Sequence, residues 1–181
     1  MAGGATAAEA VAREGENFST VVRLGQVETL QEAGSRALGV RVFFGQRAAS
    51  TYTSDFSAEG IEQLVSGALA LARVTSEDPH SGLPAPDQLG AFAGELDLYS
   101  ADVHSLEPAE RIEYARRAEA AAMAVDARIS NSEGGSFDAA SGGHALANSH
   151  GFVGEFRRSF CSVAAVPIAQ ANGSAMQRDY W

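Results

Sequence analysis

Lysine is missing altogether from this 181-residue sequence, whose 13 basic residues are all arginine. Set against 23 acidic residues, they leave a formal net charge of −10. Nucleic-acid binding rests on neutralising phosphates along a basic stripe, so this balance argues against nucleic acid as a direct partner. Arg116-Arg117 and Arg157-Arg158 are the tight basic pairs, and neither makes a stripe. Cysteine is nearly missing as well. The single Cys161 rules out an internal disulfide and fits a reducing, cytoplasmic compartment. No apolar run approaches the roughly 20 residues of a membrane span, so no membrane partner is expected. Residues 1–15 have neither a basic start nor an apolar stretch, which is not the pattern of a secretory signal. A His-Glu-x-x-His zinc motif, a Gly-x-Ser-x-Gly elbow and a phosphate-binding glycine loop are all lacking.

What is present is patterned. A chain of this length buries about 70% of its unfolded surface without needing a staple. From Phe18 to Ser54 the apolar period is two, punctuated by Gly25-Gln26 and Gly45-Gln46, and predicts a meander of about four strands. A glycine at the first central position suits the II′ hairpin turn. The period then becomes helical. Ser57 is a candidate N-cap, and Ile61, Leu64, Val65, Ala68, Leu69 and Ala72 form one apolar face that should lie across the sheet. Residues 75–94 carry Pro79, Pro84 and Pro86 without a sustained period and read as an ordered loop or linker. A second helix is predicted over about 106–125, with Pro108 in its first turn.

Strands return from Ala127, as short runs divided at Gly134-Gly135, Ser141-Gly142-Gly143, His150-Gly151 and Asn172-Gly173. The glycine clusters read as turns. The fold class is therefore α+β: an antiparallel β-meander, two helices, then a second set of antiparallel strands. Trp181 falls inside a strand by this reading, so the chain has the look of the front part of something longer.

Catalytic zinc usually takes three protein ligands brought together. The four histidines are His80, His104, His144 and His150, and no close spacing unites them. His144 and His150, six apart across an Asn-Ser turn, are the one pair worth considering for metal; hydrogen-bonding or turn roles are the plainer reading. His80 beside Asp78 reads as a loop-ordering contact. Cys161, between Phe160 and Val163, reads as an inert buried thiol. No catalytic residue and no metal ligand is assigned in this sequence. Strands rich in Ser, Thr and Gly do offer free edges, where unpaired N–H and C=O groups pair with an extended peptide or are covered by further chain.

Six ordered segments carry a resemblance: Leu38-Gly-Val-Arg-Val-Phe-Phe-Gly-Gln-Arg47, Ser50-Thr-Tyr-Thr-Ser-Asp55, Thr75-Ser-Glu-Asp-Pro-His-Ser-Gly-Leu-Pro84, Asn131-Ser-Glu-Gly134, Ala147-Asn-Ser-His-Gly-Phe152 and Met176-Gln-Arg-Asp-Tyr-Trp181. Together they resemble the TldD/PmbA family, on the PmbA (TldE) branch often labelled a modulator of DNA gyrase. Residues 18–181 look like that family's N-terminal domain, cut before its C-terminal domain. Residues 1–17 match poorly, since a longer N-terminal helix is implied there. The resemblance implies a subunit of a TldD/TldE-type zinc metallopeptidase complex acting on unfolded small proteins and peptides. Its partner would be a TldD-like subunit in a heterodimer, or a second copy in a homodimer. Zinc would belong to the catalytic partner or to the missing C-terminal domain, with no cofactor in this chain. The segment would then build a chamber or contact peptide, with Asn148, Ser149, His150 and Arg157 as candidate contacts. The alternative is a non-catalytic assembly module that stabilises a partner subunit.

Overall fold

The structure, a computed structural model, describes residues 2–90 and 96–181; the side chains of Ala2 and His104 are outside that description. Met1 and the end of the proline-rich stretch, 91–94, also lie outside the described residues.

Two tight turns make the opening meander. β1 (Ala7–Arg23) and β2 (Gln26–Phe44) meet at Leu24-Gly25, where φ is +48° and +76°. Two left-handed central residues are the mark of a type I′ turn, whose twist matches the flanking strands. The turn is thus centred one residue earlier than Gly25-Gln26, and a leucine holds a position that favours Asn or Gly. β3 (Arg47–Thr53) follows Gly45-Gln46, with Gly45 at φ +61° as the II′ turn requires. From Phe44 opposite Arg47, the antiparallel register runs to Leu38 opposite Thr53. The meander holds three strands and not four, because β2 continues unbroken through Gly34-Ser35. β1 begins at Ala7, so most of residues 1–17 are strand and not the implied helix.

The chain divides into two compact units: Met1–Gly15, Ser35–Asp97 and Gly142–Arg157 in one, Glu16–Gly34, Leu98–Ser141 and Arg158–Trp181 in the other. In the first, α1 (Ala58–Val74) starts as the sequence implies, with Ser57 Oγ accepting from Gly60 N at 3.1 Å. It buries Gly60, Leu64, Ala68 and Ala72, a line at i, i+4 spacing, whereas Ile61 and Val65 stay more than a third exposed. The small residues on that line let the helix sit close to β3, where Thr51 Oγ1 donates to Leu64 O at 2.9 Å. Val42, Ala68 and Ala72 form the core with Val40, Phe44, Ala49 and Leu69 around them. Each large aliphatic side chain so buried contributes about 1.5–3 kcal/mol. After α1, residues 75–90 are irregular apart from a 3-10 turn at Pro86–Gln88. Asp78 orders this loop, donating its N–H to Gln46 O and accepting from His80 N at 2.9 Å.

In the second unit, a single turn α2 (Asp102–Ser105) precedes α3 (Pro108–Met123). Pro108 opens α3, and Glu110 reaches back to accept from Glu107 N at 2.9 Å. The core is Phe18, Val22, Ala115, Phe137 and Ala139, with Val103, Leu106 and Ile112 packed against it. Phe18 meets Phe137 edge-on, ring centroids 6.4 Å apart. Two charged side chains are buried here. Arg111 lies over the Phe18 ring at 4.7 Å and donates Nε to Leu106 O, while the Glu119 carboxylate accepts from Leu24 N at 2.8 Å and Gly25 N at 3.0 Å. Glu119 thereby ties the I′ turn to the helix.

β4 (Ile129–Asn148), β5 (Val153–Ala169) and β6 (Gln177–Arg178) complete one sheet of order β3-β2-β1-β4-β5-β6. Gly142 faces Glu14 and Gly134 faces Val22, so β4 runs antiparallel to β1. Neither Gly134-Gly135 nor Gly142-Gly143 is a turn. Both pairs lie inside the 20-residue β4. A Cβ on Gly135 would strike Ala115 O of α3, and one on Gly142 would strike Glu14 O of β1. These glycines serve close approach of neighbouring backbone. Turns do form at His150-Gly151 and at Asn172-Gly173, the latter with φ of +38° and +79°. Beyond it the chain returns along β5, with Arg178 opposite Ile168 and Trp181 exchanging backbone hydrogen bonds with Ala165.

Candidate functional site

The β4–β5 connection is built by side chains bonding to nearby backbone. Asn148 Oδ1 accepts from His150 N at 3.0 Å and from Phe152 N at 3.1 Å, closing the turn. Ser149 docks that turn on the start of β1: its N–H donates to Ala8 O, and its Oγ accepts from Ala8 N. His150 Nδ1 lies 2.9 Å from Pro84 O, which fixes the turn to the proline-rich loop. All three candidate contacts at this turn thus have structural partners.

Arg157 stands elsewhere, five residues from Phe152 along β5, roughly 17 Å at strand rise. It borders a cleft of about 380 Å³ that is also lined by Glu14, Phe56, Gly143, Ala145 and Glu155. The missing side chain of Gly143 opens the floor. A Cβ there would sit 3.6 Å from Glu14 Oε1 and 3.9 Å from Arg157 Cγ. Phe56 forms a wall and carries the Arg36 guanidinium 5.2 Å from its ring centroid. Such a cleft presents both signs of charge beside an aromatic face, which suits polar or terminal groups of a peptide. It contains no nucleophile paired with a base.

His144 stacks on Phe156 with ring centroids 5.0 Å apart, while His150 bonds to Pro84, so the two histidines are separately engaged. Among the described residues, no group of three or more His, Cys, Asp or Glu is placed to hold a metal ion. Cys161 corrects the expectation of a buried thiol. It lies in β5 but is exposed, beside Phe160 at 60% and Val163 at 45% exposure. The core beneath α3 gathers on β1 and β4 and does not extend over this part of β5. Asp55 is the site-adjacent group whose ionisation is shifted: the N–H of Ser57, then its side chain, hold the carboxyl below the ordinary value.

Comparison with known proteins settles the lineage. Two domain models of one family match in order, the PmbA/TldA metallopeptidase domain 1 over residues 8–72 and the PmbA/TldA metallopeptidase central domain over residues 101–181. The chain belongs to the PmbA/TldD family. Its sequence is 38% identical to the metalloprotease PmbA of Escherichia coli O157:H7 over 175 residues, covering 96% of this chain and 38% of that relative. A metalloprotease PmbA homolog of Haemophilus influenzae is 35% identical, with 98% of this chain and 38% of the relative covered. The chain therefore spans about two fifths of the length of these relatives. Among solved structures, a Bacteroides thetaiotaomicron protein whose name ties it to modulation of DNA gyrase superposes with a TM-score of 0.88 at 25% identity. That match covers 99% of this chain and 40% of the other. TldE from Thermococcus kodakarensis superposes at 0.78 over 97% of this chain and 39% of its own, and at 14% identity it shares the fold.

Missed from sequence were Arg111 and Glu119, which look like solvent-facing helix charges. Their i, i+4, i+8 spacing with Ala115, which puts all three on one line of α3, was the available signal. Phe56 and Asp55, next to the Ser57 cap, also went unassigned as site neighbours.

Proposed function

We propose that this chain is the N-terminal part of a PmbA/TldE-like subunit in a TldD/TldE-type metallopeptidase complex acting on unfolded peptides. What supports the reading is the ordered pair of family matches, which spans most of the chain and agrees with relatives named metalloprotease PmbA. Bound zinc would supply the chemistry there, polarising the amide carbonyl as a Lewis acid and making a coordinated water nucleophilic at neutral pH. That metal belongs to the partner subunit or to family segments outside residues 1–181. The role of this segment is to wall the reaction space and to touch extended peptide, with Arg157 and the mixed-charge cleft as the contact region. The protein works in the cytoplasm as an oligomer and does not bind nucleic acid directly.

The test is reconstitution with a TldD-like subunit. Co-elution of the two proteins is expected, along with hydrolysis of a disordered test peptide that EDTA abolishes and added zinc restores. Photo-crosslinks from that peptide should fall on residues 1–181 as well as on the partner. Failure to co-elute and to raise hydrolysis would refute the complex. Crosslinks confined to the partner would favour the pure assembly module.

A further inference from the structure

β3 ends the sheet, with β2 on one side and no strand on the other among the described residues. Register decides which of its backbone groups face outward. Phe44 and Arg47 close a two-residue hairpin, so the bonded pairs are 44–47, 42–49, 40–51 and 38–53. Residues 48, 50 and 52 therefore turn their N–H and C=O groups away from β2. The segment after α1 covers the first of these, where Thr75 Oγ1 donates to Ala48 O at 3.2 Å and Arg47 bonds to Arg73 O. Ser50 and Tyr52 remain uncovered among the described residues, and Tyr52 is 85% exposed. Two donors and two acceptors stand in a row at strand spacing.

Beside this edge runs a groove of about 310 Å³ between β3 and the first half of α1. Thr51, Thr53, Asp55, Gly60, Gln63 and Leu64 line it with Tyr52. At one end Asp55 packs against the hydrogen side of Gly60, where a Cβ would strike the Asp55 carboxyl group and backbone O. The polar character is acidic. Asp55 is held ionised by Ser57, and Gln63 Nε2 bonds to Glu59 Oε1 at 3.4 Å, bringing a second carboxylate alongside. No arginine lines the groove, but Arg36, whose Nε donates to Ser54 O at 3.3 Å, stands near enough to favour the ionised form of Asp55.

We propose that the Ser50–Tyr52 edge of β3 takes an extended polypeptide segment as an added antiparallel strand, with a basic side chain of that segment lying in the Asp55 groove. The backbone of the guest bonds to Ser50 and Tyr52, and alternate guest side chains fall over the groove. Charge selects this occupant over a second copy of the chain. A twin would bring an identical acidic groove and a net charge of −10, and like charges across an interface disfavour pairing. The inference extends the peptide-contacting role proposed above and adds a second place for it. Its test uses binding without hydrolysis, so that it fails or stands apart from the complex.

The probe is a fluorescein-labelled, acetylated and amidated hexapeptide Thr-Val-Arg-Val-Thr-Val, titrated by anisotropy into the intact protein. Two further versions carry backbone N-methyl groups on the odd or on the even residues. One methylation pattern should weaken binding about tenfold or more, because each lost backbone bond is worth several-fold, while the other pattern leaves it unchanged. Replacing the peptide Arg with Glu should abolish binding, and added salt should weaken the parent peptide. Ser50→Pro removes an outward N–H and no ladder bond, a substitution that edge strands tolerate. It should cost a similar factor with an unchanged circular dichroism spectrum. Equal binding of both methylated peptides overturns the proposal, as does an unaffected Ser50→Pro protein. Sedimentation showing peptide-free self-association that Ser50→Pro abolishes would also overturn it, since the edge would then be occupied by a second copy. The methylation arm alters only the ligand and stays decisive if the variant fails to fold.

Discussion

Removing the Glu119 carboxylate tests how the first turn of the chain is held. Leu24 sits at φ +48°, a left-handed conformation that costs an L-residue about 1–2 kcal/mol. Glu119, 3% exposed, accepts from the N–H groups of Leu24 and Gly25 at 2.8 and 3.0 Å. Hydrogen bonds to a charged acceptor are worth about 1.5–3 kcal/mol each. Leu24 is 59% exposed, so water replaces part of what is lost at the turn. Glu119→Ala should therefore destabilise the protein by about 3 kcal/mol. Glu119→Gln keeps one acceptor but sets an amide NH₂ against the second N–H, for a loss of about 2 kcal/mol. Leu24→Asn should move the other way, by roughly 1 kcal/mol, because Asn tolerates this conformation. Urea unfolding followed by circular dichroism reads all three, with an unchanged slope marking a pure stability effect. A Glu119→Ala loss below about 1 kcal/mol would show that the carboxylate is incidental to the turn. Stabilisation absent in Leu24→Asn would show that the leucine is not strained there.

The remaining predictions concern acid stability and packing. Asp55 has its folded-state pKa depressed by the Ser57 N–H, so its contribution is present above the ordinary carboxylate value of 3.8 and fades as pH falls below it. A carboxyl-carbon NMR titration should place the Asp55 midpoint under 3.8, and Asp55→Asn should flatten the acid limb of the stability profile; a midpoint at or above that value would contradict the hydrogen bond from Ser57 N. Gly135→Ala forces a methyl group against Ala115 O and should cost about 1–3 kcal/mol in melting experiments, since the backbone on both sides is packed. Gly82→Ala, where a Cβ meets open space, is the control and should leave stability within about 0.5 kcal/mol.

Local signals were legible and long-range ones were not. Ser57, the Gly45-Gln46 turn and Pro108 act within a few residues of themselves, and each stands where the sequence put it. The apolar face of α1 was read two residues too wide. Ile61 and Val65 fit the period, but small Gly60, Ala68 and Ala72 set which line touches the sheet. Gly134-Gly135 and Gly142-Gly143 looked like turns because their reason is distant: α3 and β1 backbone approach them from tens of residues away. The length of β2 was hidden for another cause. Residues 26–36 are exposed on both sides, so no burial pattern distinguishes a continuing strand from a break at Gly34-Ser35. Of the candidate contacts, Asn148 was readable as a turn former, whereas the separation of Arg157 from that turn follows only from strand direction.

Cys161 gives the chain a chemical address of its own. A maleimide dye or nitroxide goes to one position on β5, with no engineered thiol and no competing site in these residues. Amine-directed coupling reagents, by contrast, find no lysine side chain to react with. Within these residues, proximity measurements are therefore best anchored at that sulfur, since an amine-reactive crosslinker finds at most an α-amino group.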